Sequence, residues 1–321
     1  MSVNHRGSIS AIVLTKNEEL NLETCLSSLE GWTANIFVVD SGSTDRTLEI
    51  CQAFGAKISV HEFETHSRQW QWALTNLPVD TEWIIGLDAD QRVTPELRSE
   101  ISEFLQGPAA AEPSIAGAYV NRRQIFRGKW IRHGGYYPKY LLKIFRAGSA
   151  MTDTHDLVDH HFRITGTAVT LRHDIIEDNK NETDISTWIA KHNRYARRQA
   201  LEEFSRKTRI DESGLSGRAF GSPDERILWL KKIWAHCPLY VRPAIYFVYR
   251  YIFRLGFLDG KQGFIFHFLQ AFWYRLLIDI HLEELQGAGK GNLSREVLRE
   301  KSNAEGTYHF PETESIGGAG K

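Results

Sequence analysis

Two aspartates separated by one residue, Asp88 and Asp90, follow the apolar run Trp83 to Leu87. A run of this kind is typical of a buried strand, so both carboxylates are expected at a strand end. Two carboxylates at this spacing can bind one hard divalent cation, whose other ligands would be water and phosphate oxygens. Such a cation would neutralise charge that develops on a diphosphate leaving group. The alternative is a solvated turn in which Asp90 caps a helix.

A second polar segment, Asp40-Ser41-Gly42-Ser43-Thr44-Asp45, begins at the end of the apolar run 35–40. An acidic residue at such a strand end can accept hydrogen bonds from a nucleotide base or ribose. Gly42 would let the chain pass close to a ligand. The alternative is a simple strand–turn–helix connection with Asp45 as the cap, and the two interpretations are compatible.

The elements that must position these residues alternate between strands and helices over the first hundred residues. This alternation favours a parallel sheet with helices on both faces, where ligands bind beyond the carboxyl ends of the strands. The polar clusters 15–18, 40–45 and 88–90 are therefore expected to converge on one crevice. The pattern predicts strands at 9–15, 35–40, 57–63, 83–87, 118–126 and 140–146, and helices at 18–29, from 44 or 45 to 54, 68–77, from 94, and 184–204.

Three motifs carry a resemblance to a known family: VLTKNEE from Val13, VVDSGSTDRT from Val38 and LDAD from Leu87. In this order and spacing they resemble the family 2 inverting glycosyltransferases, over roughly residues 8 to 180. The later segments YPKYLLKIFRAG, HDLVDHH and FRLGFLDGKQGF resemble a narrower branch that contains lipopolysaccharide-core β-glucosyltransferases. The resemblance implies an α/β chain with the GT-A fold, a Rossmann-like mixed sheet flanked by helices, and a C-terminal helical extension.

The resemblance also implies roles for individual residues. Asp40 would bind uracil or an equivalent base, Asp88 the ribose or the metal, and Asp90 would be the main ligand of Mg²⁺ or Mn²⁺. The donor would be a nucleotide-diphosphate sugar, with UDP-sugar preferred. The residues expected to line the nucleotide pocket are Thr15, Asn17, Glu18 and Gly42.

One segment departs from the family pattern. Many members carry a helix of the type KxxALNxA, whereas this chain has SRQWQWALTNL from Ser67. Arg68 or Gln69 would then face the diphosphate, and Arg68 is taken as the binding residue.

Inversion at the anomeric carbon requires a general base that removes the proton of the acceptor hydroxyl. The segment 152–159 offers Asp153, Asp156 and Asp159. Asp156 follows His155, where the branch carries a His-Glu pair, so the resemblance favours Asp156 as the base and leaves the other two as alternatives. Neutral imidazole binds transition metals, so His155 is the expected third metal ligand, unless it is a structural or surface histidine. Other histidines that could take this role are His160, His161 and His173.

Composition and charge limit the classes of protein to which this chain could belong. The chain has 321 residues, 42% hydrophobic and 25% charged, with a net charge of -1, so it lacks the overall basic charge of a nucleic-acid-binding protein. Three separated cysteines exclude a disulfide framework and fit a reducing compartment. The N-terminal MSVNHRGSIS has no apolar segment, and the longest uncharged candidate, 263–274, is short for a membrane span. We expect a cytoplasmic protein, or one peripheral on the cytoplasmic face of the inner membrane.

The chain is predicted to divide into a catalytic domain at 1–180, a helical extension at 181–286 and a disordered tail at 287–321. The region 186–286 holds 19 of the 37 aromatic residues, with 16 basic and 10 acidic residues. Basic and aromatic side chains together suit an anionic membrane surface. The alternative is a set of amphipathic helices that pack on the catalytic domain with solvated arginines.

Together with the residues, the resemblance implies an inverting transfer of a hexose to a saccharide or lipid-linked acceptor in lipopolysaccharide or surface-polysaccharide biosynthesis. A sugar nucleotidyltransferase is a weaker alternative because it would require a glycine-rich phosphate loop, and neither GxGxxG nor GxxxxGK[ST] occurs. A catalytically inactive scaffold that keeps the fold is the alternative from another class.

Overall fold

A computed structural model describes residues 8–152, 161–213 and 237–287. The strands in these ranges are β1 (Ile9–Thr15), β2 (Ile36–Asp40), β3 (Lys57–Val60), β4 (Trp83–Asp88), β5 (Gln91–Val93), β6 (Ile115–Phe126), β7 (Lys129–Ile131), β8 (Tyr140–Arg146), β9 (Ala150–Thr152), β10 (Phe162–Ile164) and β11 (Thr167–Glu177). The α-helices are α1 (Leu22–Ser27), α2 (Thr47–Ala53), α3 (His66–Asn76), α4 (Pro95–Gln106), α5 (Pro108–Ala111), α6 (Ile185–Ser213), α7 (Val241–Val248), α8 (Gly260–His267) and α9 (Tyr274–Gly287). The π-helical turns Tyr249–Phe253 and Phe268–Trp273 follow α7 and α8, and 3-10 turns cover Lys180–Glu182 and Gly256–Asp259.

The large sheet has the order β3-β2-β1-β4-β8-β6-β11-β5, and β7 pairs with β6. Strands β3, β2, β1 and β4 run parallel. Strand β8 is antiparallel to both neighbours, and β5 is antiparallel to β11. The predicted mixed sheet of the GT-A fold is therefore confirmed.

The register of the parallel strands aligns the polar clusters. Thr15 is the partner of Asp40, and Leu14 is the partner of Asp88. The carboxyl ends of β1, β2 and β4 therefore meet at one edge of the sheet, as the strand–helix alternation predicts.

Alternating side chains of β1 build two cores, because successive residues of a strand point to opposite faces. Ala11 and Val13 belong to a core that includes residues of α1 and α4, such as Leu26. Ile12 and Leu14 belong to a core on the other face with residues of α3. All seven residues of β1 are buried, which explains its continuous apolar run.

Two helix starts illustrate how local side chains set the boundaries. Helix α4 begins where predicted: Thr94 Oγ1 accepts the Leu97 N–H at 3.2 Å, and Pro95 occupies the first turn. Helix α2 begins at Thr47, later than predicted, because Asp45 Oδ1 accepts both the N–H (3.0 Å) and the hydroxyl (2.5 Å) of Thr47. Helix α1 is also shorter than predicted, and residues 18–21 instead form part of the site described below.

From Ile185 the described part of the chain is helical. Helices α6 and α9 pack through a core that includes Ala196, Ala200 and Ile278. A further cluster, with Phe126, Ile131, Trp188 and Phe266, joins this region to β6 and β7. Within the described ranges, none of the helices combines the length and the apolar character that crossing a bilayer requires. The predicted tail lies outside the described residues beyond Gly287.

Candidate active site

Asp40 ends β2 and is fully buried. Its Oδ1 accepts the hydroxyls of Thr15 at 2.9 Å and Ser43 at 2.5 Å. Its Oδ2 accepts the N–H groups of Gly42 and Ser43, both at 2.8 Å. These four bonds match the acceptor capacity of a carboxylate, so Asp40 organises the β2 loop itself. Any hydrogen bond from Asp40 to a nucleotide base would have to share or replace one of them.

The loop after β1 is locked to the loop after β2. Lys16 Nζ donates to the carbonyls of Ser41 and Gly42, each at 2.7 Å. Asn17 adopts a φ of 55° and donates its N–H to Ser43 Oγ at 2.8 Å. Gly42 has a φ of +79°, a left-handed conformation that glycine adopts without strain. The predicted pocket residues of the two loops therefore lie together.

Glu18 lies in the same loop and faces the extension. Its Oε2 accepts the amides of Asn21 at 2.7 Å and Asn181 at 3.1 Å. Burial raises the pKa of Glu18 to about 7; the Asn21 bond and Lys191 oppose that shift, and Asp88 adds to it. Glu18 is thus an enclosed acid close to Asp88 and Asp90.

Asp88 is held by a lysine from the neighbouring antiparallel strand. Lys143 of β8 is only 3% exposed and places Nζ 3.1 Å from Asp88 Oδ2. The Asp88 N–H donates to Gln91 Oε1 at 3.2 Å. Sequence reasoning missed Lys143, although a lysine inside the apolar run of β8 is a signal that could have identified it.

Asp90 lies at the centre of an acidic cluster. Burial raises the pKa of Asp90 well above its usual value, and the carboxylates of Glu177, Asp88 and Glu18 raise it further, while Lys191 opposes them. Burial would lower the pKa of Lys191, but Tyr195, Glu182 and Asp90 raise it above its usual value. Lys191 of α6 was also missed, because its proximity to Asp90 depends on how the extension folds back.

Glu177 ends β11 and completes the cluster. Arg122 Nη1 donates to both Glu177 carboxylate oxygens, at 3.0 and 3.1 Å, and Gln91 Nε2 donates to one of them at 2.8 Å. The charge of Glu177 is therefore balanced by Arg122.

The chemistry of the acidic cluster suits a divalent cation, but the geometry of its described residues does not by itself form a complete ligand set. Carboxylate oxygens suit Mg²⁺ and Mn²⁺, and a cation would relieve the charge repulsion that raises the pKa of Asp90. In the described ranges, however, no group of three or more His, Cys, Asp or Glu residues is arranged to hold a metal. The assignment of Asp88 and Asp90 as metal ligands stays a prediction.

Helix α3 brings Gln69 rather than Arg68 to the loop after β2. Gln69 is buried, and its Nε2 donates to Ser41 Oγ and to the carbonyl of His61, each at 3.1 Å. Arg68 forms an ion pair with Glu64 and is about 42% exposed. A contact between Arg68 and the diphosphate stays a prediction.

The predicted base and third metal ligand, Asp156 and His155, lie outside the described residues, as do Asp153, Asp159 and His160. Of the other histidines considered, His173 contacts Glu100 at 2.8 Å on α4, away from the acidic cluster.

Residues on either side of this segment are held by hydrogen bonds and by strand pairing. Thr152 donates its hydroxyl to the Ser67 carbonyl at 2.6 Å and its N–H to Gln71 Oε1 at 3.0 Å. Thr152 pairs with Phe162, whose ring packs beside Gly86, two residues before Asp88. Thr152 and Phe162 therefore lie next to the start of α3 and to β4.

Comparison with known proteins places the chain among glycosyltransferases. An uncharacterized glycosyltransferase of Rickettsia bellii is 38% identical over 93 residues, 29% of this chain and 31% of the relative. The lipopolysaccharide core biosynthesis glycosyltransferase LpsC of Rhizobium meliloti is 32% identical over 155 residues, 45% of this chain and 53% of the relative. The chain thus spans about a third to about half of the length of these relatives.

Among solved structures, glucosyl-3-phosphoglycerate synthase of Mycobacterium tuberculosis, in complex with Mn²⁺, uridine diphosphate and glucosyl-3-phosphoglycerate, overlaps in part. It is 21% identical, with 36% of this chain and 44% of that chain covered, at a TM-score of 0.29. The model of the family described as "Glycosyl transferase family 2" matches residues 10–177, more than half of the chain, from the second residue of β1 to the end of β11. The chain therefore belongs to glycosyl transferase family 2.

Proposed function

We propose that this protein transfers a hexose, with inversion, from a nucleotide-diphosphate sugar to a saccharide or lipid-linked acceptor. The observation that carries the proposal is the cluster of Asp88, Asp90, Glu18 and Glu177 beside the Asp40 loop, at one edge of a family 2 sheet. The acidic cluster suits a cation, and the loop beside it offers backbone and hydroxyl groups for a nucleotide. UDP-sugar is the donor we favour.

Each part of this chain has a task in the reaction. The loops after β1 and β2 bind and orient the nucleotide, and Asp88 and Asp90 hold the cation. When bound, that Mg²⁺ or Mn²⁺ stabilises negative charge on the diphosphate. Asp156 is the proposed base, with Asp153 and Asp159 as alternatives, and His155 is the proposed third ligand.

The bonds change in one displacement. The base carboxylate takes the proton of the acceptor hydroxyl, whose oxygen forms a bond to the anomeric carbon. The bond from that carbon to the diphosphate breaks, and its electron pair leaves with the diphosphate. Attack from the face opposite the leaving group inverts the anomeric configuration.

The name of the Rhizobium relative supports lipopolysaccharide or surface-polysaccharide biosynthesis as the setting. We infer a cytoplasmic location, at the inner face of the bacterial inner membrane, where nucleotide-sugar donors and lipid-linked acceptors meet.

Calorimetry with Mn²⁺ and a panel of UDP-, GDP- and dTDP-sugars tests the donor site. We expect one donor to bind only with the metal, and Asp90→Asn to abolish binding, since that variant removes a charge and keeps the side-chain shape. Asp80→Asn is the matched control, because Asp80 is exposed and precedes β4, at the opposite edge of the sheet. A folded protein that binds no donor would contradict the proposal and favour an inactive scaffold.

Product analysis tests the reaction. Release of a nucleoside diphosphate supports sugar transfer, whereas release of pyrophosphate would identify a nucleotidyltransferase. Replacement of the base should lower kcat by about 10²- to 10⁴-fold with unchanged donor affinity. Comparison of Asp156→Asn with Asp153→Asn and Asp159→Asn identifies which carboxylate acts.

A further inference from the structure

Exposed apolar side chains are concentrated in one short stretch of the extension. Of the 18 large hydrophobic residues that are exposed in the described ranges, 12 lie between Tyr240 and Phe268. We call these twelve the apolar face: Tyr240, Val241, Ile245, Val248, Tyr249, Ile252, Phe253, Leu255, Phe257, Leu258, Phe264 and Phe268. Scattered exposed hydrophobics are ordinary, but a contiguous group of this size marks an interaction site.

The apolar face follows helical spacing. Val241, Ile245, Val248 and Ile252 recur at intervals of three or four along α7 and the turn after it, so they share one side. The opposite side of α7 packs inward, where Arg242 is only 2% exposed. This segment therefore lies flat on the protein, with an apolar side turned outward along its length.

The turn beneath the apolar face is fixed to the catalytic sheet. Asp259 is buried and accepts the N–H groups of Arg132 at 3.0 Å and His133 at 2.8 Å, and it contacts His133 Nδ1 at 2.7 Å. The Gly134 N–H donates to the Arg254 carbonyl at 2.8 Å. Buried hydrogen bonds therefore fix the turn in the orientation that leaves these apolar side chains exposed.

The charges around the apolar face have one sign over most of its length. Between Tyr240 and Phe268, the exposed charged residues are Arg254 and Lys261, and the acidic residue Asp259 is buried. Lys129 Nζ lies 3.4 Å from the position of a Cβ on Gly260, which adds a third cation to this rim. Exposed acids, Glu283 among them, occur at the other end, where Glu283 binds the Tyr240 hydroxyl.

We propose that the apolar face is a docking surface for an anionic phospholipid bilayer, with the Phe253 end inserted at the level of the headgroups. Aromatic and aliphatic side chains enter the interfacial region, and Lys and Arg at the rim bind lipid phosphates. Because Asp259 fixes the turn of the apolar face to Arg132 and His133, directly after β7, docking would hold the sheet that carries the acidic cluster against the membrane. The proposal goes beyond sugar transfer and does not depend on it.

Flotation of the full chain with vesicles tests the proposal. We expect binding to phosphatidylcholine vesicles that contain phosphatidylglycerol, and much weaker binding to phosphatidylcholine alone or at high salt. Phe253→Glu, at the most exposed residue of the apolar face (73%), should lower vesicle affinity by at least about tenfold. Val60→Glu is the matched control, because Val60 is 67% exposed but lies on β3, and it should bind as the unmodified chain does.

Replacement of the basic side chains at the rim tests the electrostatic part of the proposal. Arg254→Gln and Lys261→Gln should each lower affinity for the anionic vesicles by roughly fivefold. Equal binding to neutral and anionic vesicles would overturn the requirement for anionic lipid. Absence of vesicle binding would overturn the proposal, and concentration-dependent association of the free chain that Phe253→Glu abolishes would then identify a second copy as the occupant.

Discussion

Lys143 of β8 and Asp88 of β4 form an ion pair, with Nζ 3.1 Å from Oδ2, although 55 residues separate them in the sequence. Lys143 is nearly inaccessible to solvent, and the pair lies beside Asp90, whose own charge is destabilised by burial. The lysine therefore compensates part of the negative charge of the acidic cluster when no cation is bound.

We expect Lys143→Met to destabilise the metal-free protein by about 1–3 kcal/mol, because it leaves the Asp88 carboxylate without its buried partner. Mn²⁺ should then raise Tm more in the variant than in the unmodified chain, since the cation replaces the lost positive charge. Thermal unfolding with and without Mn²⁺ measures both effects. Lys139→Met, at an exposed lysine just before β8, is the control, and an equal Mn²⁺ effect in all three proteins would contradict the interpretation.

The pKa of Glu18 predicts a pH-dependent stability. Its folded pKa of about 7 lies above the ordinary value of 4.5, so the folded state binds the proton more tightly than the unfolded state does. The resulting stabilisation is complete below the unfolded pKa and is lost as the pH rises from 4.5 through 7.

At about pH 8.5, the free energy of unfolding of Glu18→Gln should therefore exceed that of the unmodified chain by ~1–3 kcal/mol, with a higher Tm, and the two should differ little near pH 5. The glutamine keeps an oxygen for the Asn21 and Asn181 amides but has no charge to bury. Thermal unfolding across this range is the measurement. Glu19→Gln is the control, because Glu19 is the exposed neighbour of Glu18. A stability difference between Glu18→Gln and the unmodified chain that stays constant at all pH values would exclude the titration of Glu18 as its cause.

The bonds of Asp40 predict different outcomes for two substitutions. Asn can keep the geometry, because one oxygen accepts the N–H groups of Gly42 and Ser43 while its amide donates to the hydroxyls of Thr15 and Ser43. We expect Asp40→Asn to cost about 1 kcal/mol and Asp40→Ala about 2–4 kcal/mol, since alanine removes all four hydrogen bonds of the buried carboxylate. Urea unfolding measures both, and similar losses would refute the hydrogen-bond account.

His267 and Gly256 predict a stability effect far from the acidic cluster. A Cβ on Gly256 would lie 2.6 Å from His267 Cδ2 and 2.9 Å from the Arg250 carbonyl, and the buried imidazole is also packed against Gly134. Because His267 has no room to retreat, Gly256→Ala should cost about 1–3 kcal/mol.

Urea unfolding tests this contact as well. Gly287→Ala is the control, because a Cβ there meets nothing within 4 Å. In the double variant with His267→Ala, the cost of Gly256→Ala should shrink, and an undiminished cost would place the strain elsewhere.

Much of the fold and part of the site could be predicted because their signals are local. The apolar runs of β1, β2 and β4 end in polar residues, and parallel pairing then brings Thr15, Asp40 and Asp88 to one edge. The cap at Thr94 is equally local, since its hydroxyl binds an N–H three residues later. Such patterns need no knowledge of how distant segments pack.

The roles of individual charged residues could not be predicted in the same way. Lys143, Glu177 and Lys191 reach the aspartates from β8, β11 and α6, and only the packing of these elements sets their distances and their burial. Asn181 likewise binds Glu18 across 163 residues. Electrostatic effects depend on separation and on the exclusion of water, and neither can be inferred from sequence spacing alone.

The helical extension shows the same difference between what the sequence predicts and what tertiary packing decides. Its aromatic and basic composition is evident from the sequence, and it indicates either a packed core or a membrane surface. Phe266 and Phe253 are the same residue type in the same region, yet Phe266 is 5% and Phe253 73% exposed. Phe266 packs against Phe126 of β6 and Tyr136 of the segment between β7 and β8, whereas the turn anchored by Asp259 leaves Phe253 exposed. The sequence by itself determined the family, the sheet and the acidic pair; tertiary packing decided which charges share the site and which aromatic rings face solvent, because burial is a property of the assembled elements.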